Sequence, residues 1–214
     1  GDILYRDSSG LQRLAAGTNG QVLQTGGTGA NPSWGTVSSD FVKVGSWDWS
    51  TNVTTVTIDA FSNDYDVYKV FVFDWFLASS NEHFEWTLQD SSGNTQSSFA
   101  EVMKQVYSDE GSSNGQSYST GWDSSYSRPL RETAGQNQER SFSMELALFN
   151  PYKTGKQRWY LFNTITRSSN GYTYNYTGGG NNRDRANNFT KFAIRGHSGG
   201  NIGGGHIRIY GLKN

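Results

Sequence analysis

Apolar side chains recur at every second position over stretches of strand length, and this period limits the possible folds more than any other feature of the sequence. Residues 141–148 show it well, since Phe142, Met144, Leu146 and Leu148 share one face and the intervening residues share the other. A period of two predicts a β-strand with one packed face and one solvated face.

Runs of this kind, rich in β-branched and aromatic residues, repeat from residue 40 onward and are separated by Ser, Gly and Asn clusters. The clearest predicted strands are 41–47, 53–60, 67–77, 83–89, 141–149, 158–166, 189–195 and 206–212. Weaker ones are 102–107, 118–122 and 172–176. Residues 99–107 fit neither period cleanly, so a short helix or an irregular crossing stays open there. The glycine-rich run 178–182 is typical of a flexible loop.

Many strands with one polar face each, and no alternation of strands with helices, predict an all-β fold. We expect residues 40–214 to form an antiparallel β-sandwich of jelly-roll type. Aromatic rings must supply much of its core, because the chain has 7 Trp, 12 Tyr and 12 Phe but few aliphatic residues. Trp47, Trp75, Trp86 and Trp159 lie inside predicted strands and are expected in the core.

Residues 1–39 are polar and Gly-rich, with too few apolar residues to enclose a core of their own. Two strand-like pieces, 3–6 and 21–24, are separated by turn-forming residues. Such an extended arm becomes ordered only against a partner surface, which favours attachment or trimerisation. The side chains expected to contact the partner are Ile3, Leu4, Tyr5, Leu11, Leu14, Val22, Leu23 and Trp34.

Charge and composition argue against several classes of function. The net charge of −1 leaves no excess of positive charge for a phosphate backbone, so nucleic acid is not an expected partner. The absence of cysteine excludes disulfides, thiolate metal sites and a cysteine nucleophile. No apolar stretch approaches the ~18 residues of a membrane helix, and no export signal is visible, so neither membrane insertion nor secretion is expected.

Four stretches of the chain carry a resemblance to a known class of proteins. They are GDILYRDSSGLQRLAAGTNGQVL at 1–23 closing on NPSWG at 31–35, then NDYDVYKVFVF at 63–73, LFNPYKTGK at 148–156, and FAIR at 192–195 followed by GGNIGGGHIRIYGLKN at 199–214. Together they resemble bacteriophage tail-fibre and related virion structural proteins. The first resembles a linker of phage fibres, and the others resemble strands of their carboxy-terminal jelly rolls. The resemblance implies a homotrimer about a threefold axis on the virion, made in the host cytoplasm, that binds a host cell-surface glycan or other virion proteins.

Fibres usually carry a long shaft and an anchoring region, and neither is visible before Gly1. The chain is therefore expected to be either a carboxy-terminal fragment or a short protein. A short protein with one arm and one jelly roll also resembles capsid decoration proteins, which stabilise the head through extended arms. A fibre tip is the leading hypothesis, and a capsid decoration (cement) protein is the alternative.

The sequence does not predict a catalytic site. His83, His197 and His206 have no paired spacing, so no metal site is expected. The matches to a Gly-x-Ser-x-Gly elbow lie in plain Ser/Gly-rich stretches, and we expect no catalytic residue and no cofactor. Carboxylates suited to glycosidase chemistry, namely Asp74, Glu82, Glu85, Asp109 and Glu110, cannot be placed from sequence, which leaves a polysaccharide depolymerase as a third hypothesis.

Aromatic residues in polar surroundings are the candidate glycan-binding residues. Tyr118, Trp122 and Tyr126 lie in a Ser/Gly-rich stretch, and Tyr172, Tyr174 and Tyr176 alternate so that they share one face of a strand. A flat ring can stack on the C–H face of a sugar while nearby polar groups bind its hydroxyls. The alternative is that these rings are buried at a trimer interface or under loops.

Overall fold

The structure is a computed structural model. It describes residues 1–37, 39–48, 53–78, 83–95, 99–108, 114–124, 126–127, 129, 141–167, 172–197 and 199–213, with the backbone alone at 107–108 and 114–124. The chain divides into two compact units, Gly1–Asp40 and Phe41–Asn214. We call them the amino-terminal unit and the sandwich unit.

The amino-terminal unit consists of two β-hairpins. The first pairs β1 (Ile3–Asp7) with β2 (Gly10–Leu14), and the second pairs β3 (Gln21–Gln24) with β4 (Ser33–Thr36). Sequence patterning missed β2 and β4, because both are short and neither forms a run of β-branched residues. None of the described side chains of this unit is buried, so the unit has no core of its own.

The described residues of the sandwich unit form eleven strands, and every strand predicted from residue 40 onward overlaps one of them. They are β5 (Phe41–Asp48), β6 (Thr55–Asp59), β7 (Tyr65–Leu77), β8 (Phe84–Gln89), β9 (Phe99–Ser108), β10 (Asn114–Ser124), β11 (Phe142–Phe149), β12 (Arg158–Arg167), β13 (Thr173–Asn182), β14 (Lys191–Gly196) and β15 (Ile202–Lys213). The ambiguous run 99–107 is a strand, because pairing with β10 on one side and β13 on the other satisfies its backbone.

Two antiparallel sheets form the sandwich. The eight-stranded sheet has the order β10-β9-β13-β12-β11-β7-β15-β5, and the three-stranded sheet has the order β6-β14-β8. All elements of the described residues are strands, so the all-β prediction is confirmed. The jelly-roll type of connection stays a prediction.

The core lies between the two sheets and is aromatic, as the composition predicted. Its largest fully buried side chains include Trp75, Trp86, Tyr68, Tyr176, Phe84, Phe142, Phe189 and Phe192. The Trp86 ring lies against Phe99 and Tyr160, with ring centroids 5.2 and 5.1 Å apart. Strand β12 alternates strictly between buried and exposed side chains, as the period of two requires.

Two of the sequence predictions near β12 and β13 are wrong. Trp159 is 52% exposed and does not belong to the core, because its neighbours Arg158 and Tyr160 occupy the inward positions of the alternation. The glycine run also lies within strand β13 and does not form a loop. A Cβ atom at Gly180 would lie 1.9 Å from the Ala100 carbonyl oxygen, so close packing of neighbouring strands explains a glycine there.

Candidate functional site

Large apolar side chains are exposed on the outer face of the eight-stranded sheet, the face that points away from the core. Val102, Trp159, Leu161 and Ile165 are each more than half exposed. Single exposed apolar residues are ordinary, but several on neighbouring strands often mark a binding surface. This face is therefore where a functional site is best sought.

A cleft floored by glycine lies on this face where β9, β13 and β12 run side by side. Gly179 of β13 pairs with Val102 on one side and Leu161 on the other, and Asn181 pairs with Ala100 and Trp159. Because Gly179 has no side chain, the flanking residues stand as two walls above the backbone. The cleft has a volume of about 590 Å³ and is also lined by Phe149 and Arg183. We call it the Trp159 cleft.

Polar groups of two kinds accompany the Trp159 cleft. Asn181 Oδ1 has no hydrogen-bond partner among the described residues, and the exposed Arg183 side chain lies at the rim. Beneath the sheet, the Tyr160 hydroxyl donates to Glu101 over 3.1 Å. Burial raises the pKa of Tyr160, and the Glu101 carboxylate raises it further, so the hydroxyl stays protonated and holds the floor in place.

Polar groups that pair with one another also lie on the outer face. Lys69 forms an ion pair with Glu145, and Asn175 Nδ2 donates to Asn163 Oδ1 over 2.9 Å. Toward the β5 edge, hydrogen bonds from His206 and Arg208 lower the pKa of Asp48. The exposed apolar surface is therefore interrupted by charged and amide groups, and the Trp159 cleft is an apolar concave part of it.

The three alternating tyrosines do share one face of β13, as the sequence predicted, but that face points into the core. Tyr176 is fully buried and Tyr174 is 7% exposed, while Tyr172 is partly buried against the same cluster. Tyr174 and Tyr176 stack with ring centroids 6.0 Å apart. These rings pack inside the protein and have no free face for a sugar, so the ligand-facing hypothesis is corrected for Tyr174 and Tyr176.

The other sequence candidates are separate from these tyrosines. Tyr126 lies beneath the Arg195 guanidinium, whose carbon is 3.9 Å from the ring centroid. Tyr118 and Trp122 belong to β10, and their side chains lie outside the part of the chain that the structure describes. The structure therefore brings together no binding site from the predicted aromatic set within the residues it describes.

A buried charge cluster joins residues that are far apart in the sequence. Glu85 is 1% exposed and bonds both Arg195 and His197, and the His197 ring lies 6.4 Å from that of His83. Among the described residues, no group of three His, Cys, Asp or Glu side chains is arranged to hold a metal ion. Of the other carboxylates considered, Asp74 lies in β7 with a φ of 54°, and Glu82, Asp109 and Glu110 lie outside the described residues.

The predicted partner contacts of the amino-terminal unit lie on its two hairpins. Ile3, Tyr5 and Leu14 are half-buried on one face of the first hairpin, and Leu4 and Leu11 are exposed on the other, at 65% and 71%. On the second hairpin, Val22 and Leu23 are exposed, and Trp34 Nε1 donates to the Ala15 carbonyl oxygen over 2.6 Å.

Sequence reasoning missed the residues that build the Trp159 cleft. A signal was present, because the period of two places Trp159 on the same face as Asn163 and Arg167, which are unsuited to a core. No comparable signal marked Gly179, since its place between two walls depends on pairing with β9 and β12.

The described residues include no helix long and apolar enough to cross a bilayer. Comparison of the chain with protein-family models, with curated proteins and with solved structures finds no significant match. The fold and the site thus define an all-β sandwich protein with an open, aromatic-walled cleft on one sheet.

Proposed function

We propose that this chain is a homotrimeric, surface-exposed structural protein of a bacteriophage virion, and that it binds a host cell-surface glycan as the tip of a fibre. The phage assignment is supported by the resemblance of residues 1–23, 31–35, 63–73, 148–156, 192–195 and 199–214 to fibre sequences. In this proposal the protein has no catalytic role, is made in the host cytoplasm, and contacts other virion proteins through its amino-terminal unit.

The observation that carries the proposal is the incomplete packing of the amino-terminal unit. On the first hairpin, the exposed Leu4 and Leu11 sit opposite Arg13 and Arg6 in the register. A two-stranded hairpin is at best marginally stable in water and needs further strands or a covering surface. Burial of these leucines against sister chains would stabilise the hairpin and the assembly together.

Trimer formation is tested by sedimentation and light scattering of the purified chain. We expect a mass three times that of the chain, and a shift to monomer in the double variant Leu4→Asp/Leu11→Asp. Val37→Asp is a matched control, because Val37 is 73% exposed but lies outside the hairpins. A monomeric wild type, or a trimer unaffected by the double variant, would contradict the proposal.

Location on the particle separates the leading function from its alternative. Antibody against the chain should label the distal end of a tail fibre in electron micrographs. Labelling at regular positions on the head would instead establish a capsid decoration protein, whose arm stabilises the shell by burial. Release of sugar from host polysaccharide by the purified protein would establish a depolymerase.

A further inference from the structure

We infer that the Trp159 cleft is the glycan-binding site of this protein, with a pyranose ring stacked on Trp159 and its hydroxyls bonded by Asn181 and Arg183. The inference deepens the proposed function and rests on it for the class of ligand. None of these three residues was among the aromatic candidates that the sequence suggested.

The stacking surface is the indole of Trp159. This side chain is 52% exposed within a strand whose even-numbered neighbours are buried, so water covers a large flat apolar ring. The C–H face of a pyranose is apolar and about as flat as an aromatic ring, and covering the indole with it removes apolar surface from water. Leu161, on the same face of β12, extends the wall by one more apolar side chain.

The floor has no side chain of its own at Gly179, and the Leu161 side chain leans over it. Gly179 separates Val102 on β9 from Leu161 on β12, and two strand spacings make these backbones about 9–10 Å apart. A Cβ atom at Gly179 would lie 2.6 Å from the Tyr160 carbonyl oxygen and 2.7 Å from Leu161 Cδ2. A larger residue at position 179 would therefore displace Leu161, which forms part of the cleft wall.

Polar groups at the cleft match the hydroxyls of a sugar. Asn181 stands between Ala100 and Trp159 in the register. Its Oδ1 atom is buried and has no partner among the described residues, so a sugar hydroxyl would bond the Nδ2 side of the amide. Arg183 adds guanidinium donors at the rim. A sugar hydroxyl oxygen accepts, so one sugar can bond the Asn181 Nδ2 group and the Arg183 guanidinium together. A few polar groups within a mainly apolar concave surface are typical of small-ligand sites, as is a volume of about 590 Å³.

A second copy of the chain is a poorer occupant than a sugar. A stable protein interface buries roughly 800 Å² on each partner and is depleted of charge at its centre. An interface of that size on this face would have to cover the Lys69–Glu145 ion pair and the Asn163–Asn175 hydrogen bond next to the cleft. A single sugar ring fits the Trp159 cleft alone and leaves those groups in water.

The test uses the full chain as wild type, Trp159→Ala, Trp159→Phe and Ile165→Ala on an array of bacterial surface glycans. Ile165 is the matched control, because it is equally exposed on the same face of β12 but lies about 20 Å along the strand. Methyl hexopyranosides and methyl hexuronosides then serve as probes in saturation-transfer NMR. We expect at least a tenfold loss of affinity for Trp159→Ala, partial retention for Trp159→Phe, and less than a twofold change for Ile165→Ala.

Each contrary result has a distinct meaning. Glycan binding that survives Trp159→Ala would overturn the site while leaving a glycan-binding fibre tip intact. A trimeric wild type that binds no glycan on the array would overturn the inference without affecting the assembly. Conversion of Trp159→Ala to a monomer would show that the outer face contacts a second copy, and would also overturn it. Circular dichroism of each variant establishes that the fold is retained.

Discussion

Replacement of Arg195 by alanine tests the buried charge cluster of the sandwich unit. Arg195 and Glu85 are direct neighbours in the pairing of β14 with β8, and Arg195 Nε lies 2.7 Å from Glu85 Oε1. Glu85 Oε2 is 3.0 Å from His197 Nδ1. The Glu85 side chain is 1% exposed, so it depends on these partners in place of water.

Removing one partner of a buried ion pair costs about 3–5 kcal/mol, because the remaining charge keeps its desolvation penalty. The loss here should fall below that range, at about 2–2.5 kcal/mol, since the Arg195 side chain is 35% exposed and its removal admits water, and since His197 stays. Loss of the contact with the Tyr126 ring adds about 0.5–1 kcal/mol. We therefore expect Arg195→Ala to lower the free energy of unfolding by about 3 kcal/mol.

Urea denaturation followed by tryptophan fluorescence measures this change. With a slope of about 2 kcal/mol per M urea, the midpoint should fall by about 1.5 M. Glu85→Gln/Arg195→Ala should be more stable than Arg195→Ala alone, because the double variant no longer buries a charge. Lys191→Ala, on the same strand, should cost less than about 1 kcal/mol. A loss below about 1 kcal/mol for Arg195→Ala, or no recovery in the double variant, would refute the reasoning.

Two further outcomes follow from the packing of β13 and the loop after it. Gly180→Ala should lower the free energy of unfolding by about 3 kcal/mol in the same urea assay, because the new Cβ would lie 1.9 Å from the Ala100 carbonyl oxygen. Thr177 is exposed on the same strand, and Thr177→Ala should stay within about 0.5 kcal/mol of wild type. Burial raises the pKa of Asp184, but hydrogen bonds from Asn187 and Ala186 lower it by more, so the net pKa lies below the ordinary 3.8. Above pH 3.8 the charged Asp184 carboxylate stabilises the fold, and this contribution is lost as the pH falls through the lowered pKa. The stability difference between wild type and Asp184→Asn should therefore shrink from about pH 5 to about pH 2. A difference that does not change with pH would contradict this prediction.

The strands could be predicted well because each one is encoded locally. Alternation in β11 and β12 depends only on neighbouring residues, and it marks both strands whatever packs against them. Strand β9 was ambiguous for the opposite reason, since its state depends on pairing with β10 and β13, which are distant in sequence. The hairpin strands β2 and β4 were missed because four or five residues carry too little pattern.

The candidate site could not be predicted in the same way. Its walls come from β9 and β12 and its floor from β13, so it exists only in the register that sets Gly179 between Val102 and Leu161. Glu85 and Arg195 likewise meet only through the pairing of β8 with β14. Sequence spacing carries no record of either neighbourhood.

The sequence by itself determined an all-β chain with side chains divided between two faces of each strand, and it placed Tyr172, Tyr174 and Tyr176 together on one of them. Which face is buried was decided only by the tertiary structure. Both faces of β12 carry large apolar residues, and Tyr160 is buried because Trp86 and Phe99 pack against its ring. Consecutive side chains of a strand point to opposite faces of its sheet. Because Tyr160 faces the core, Trp159, one position earlier, faces the solvent.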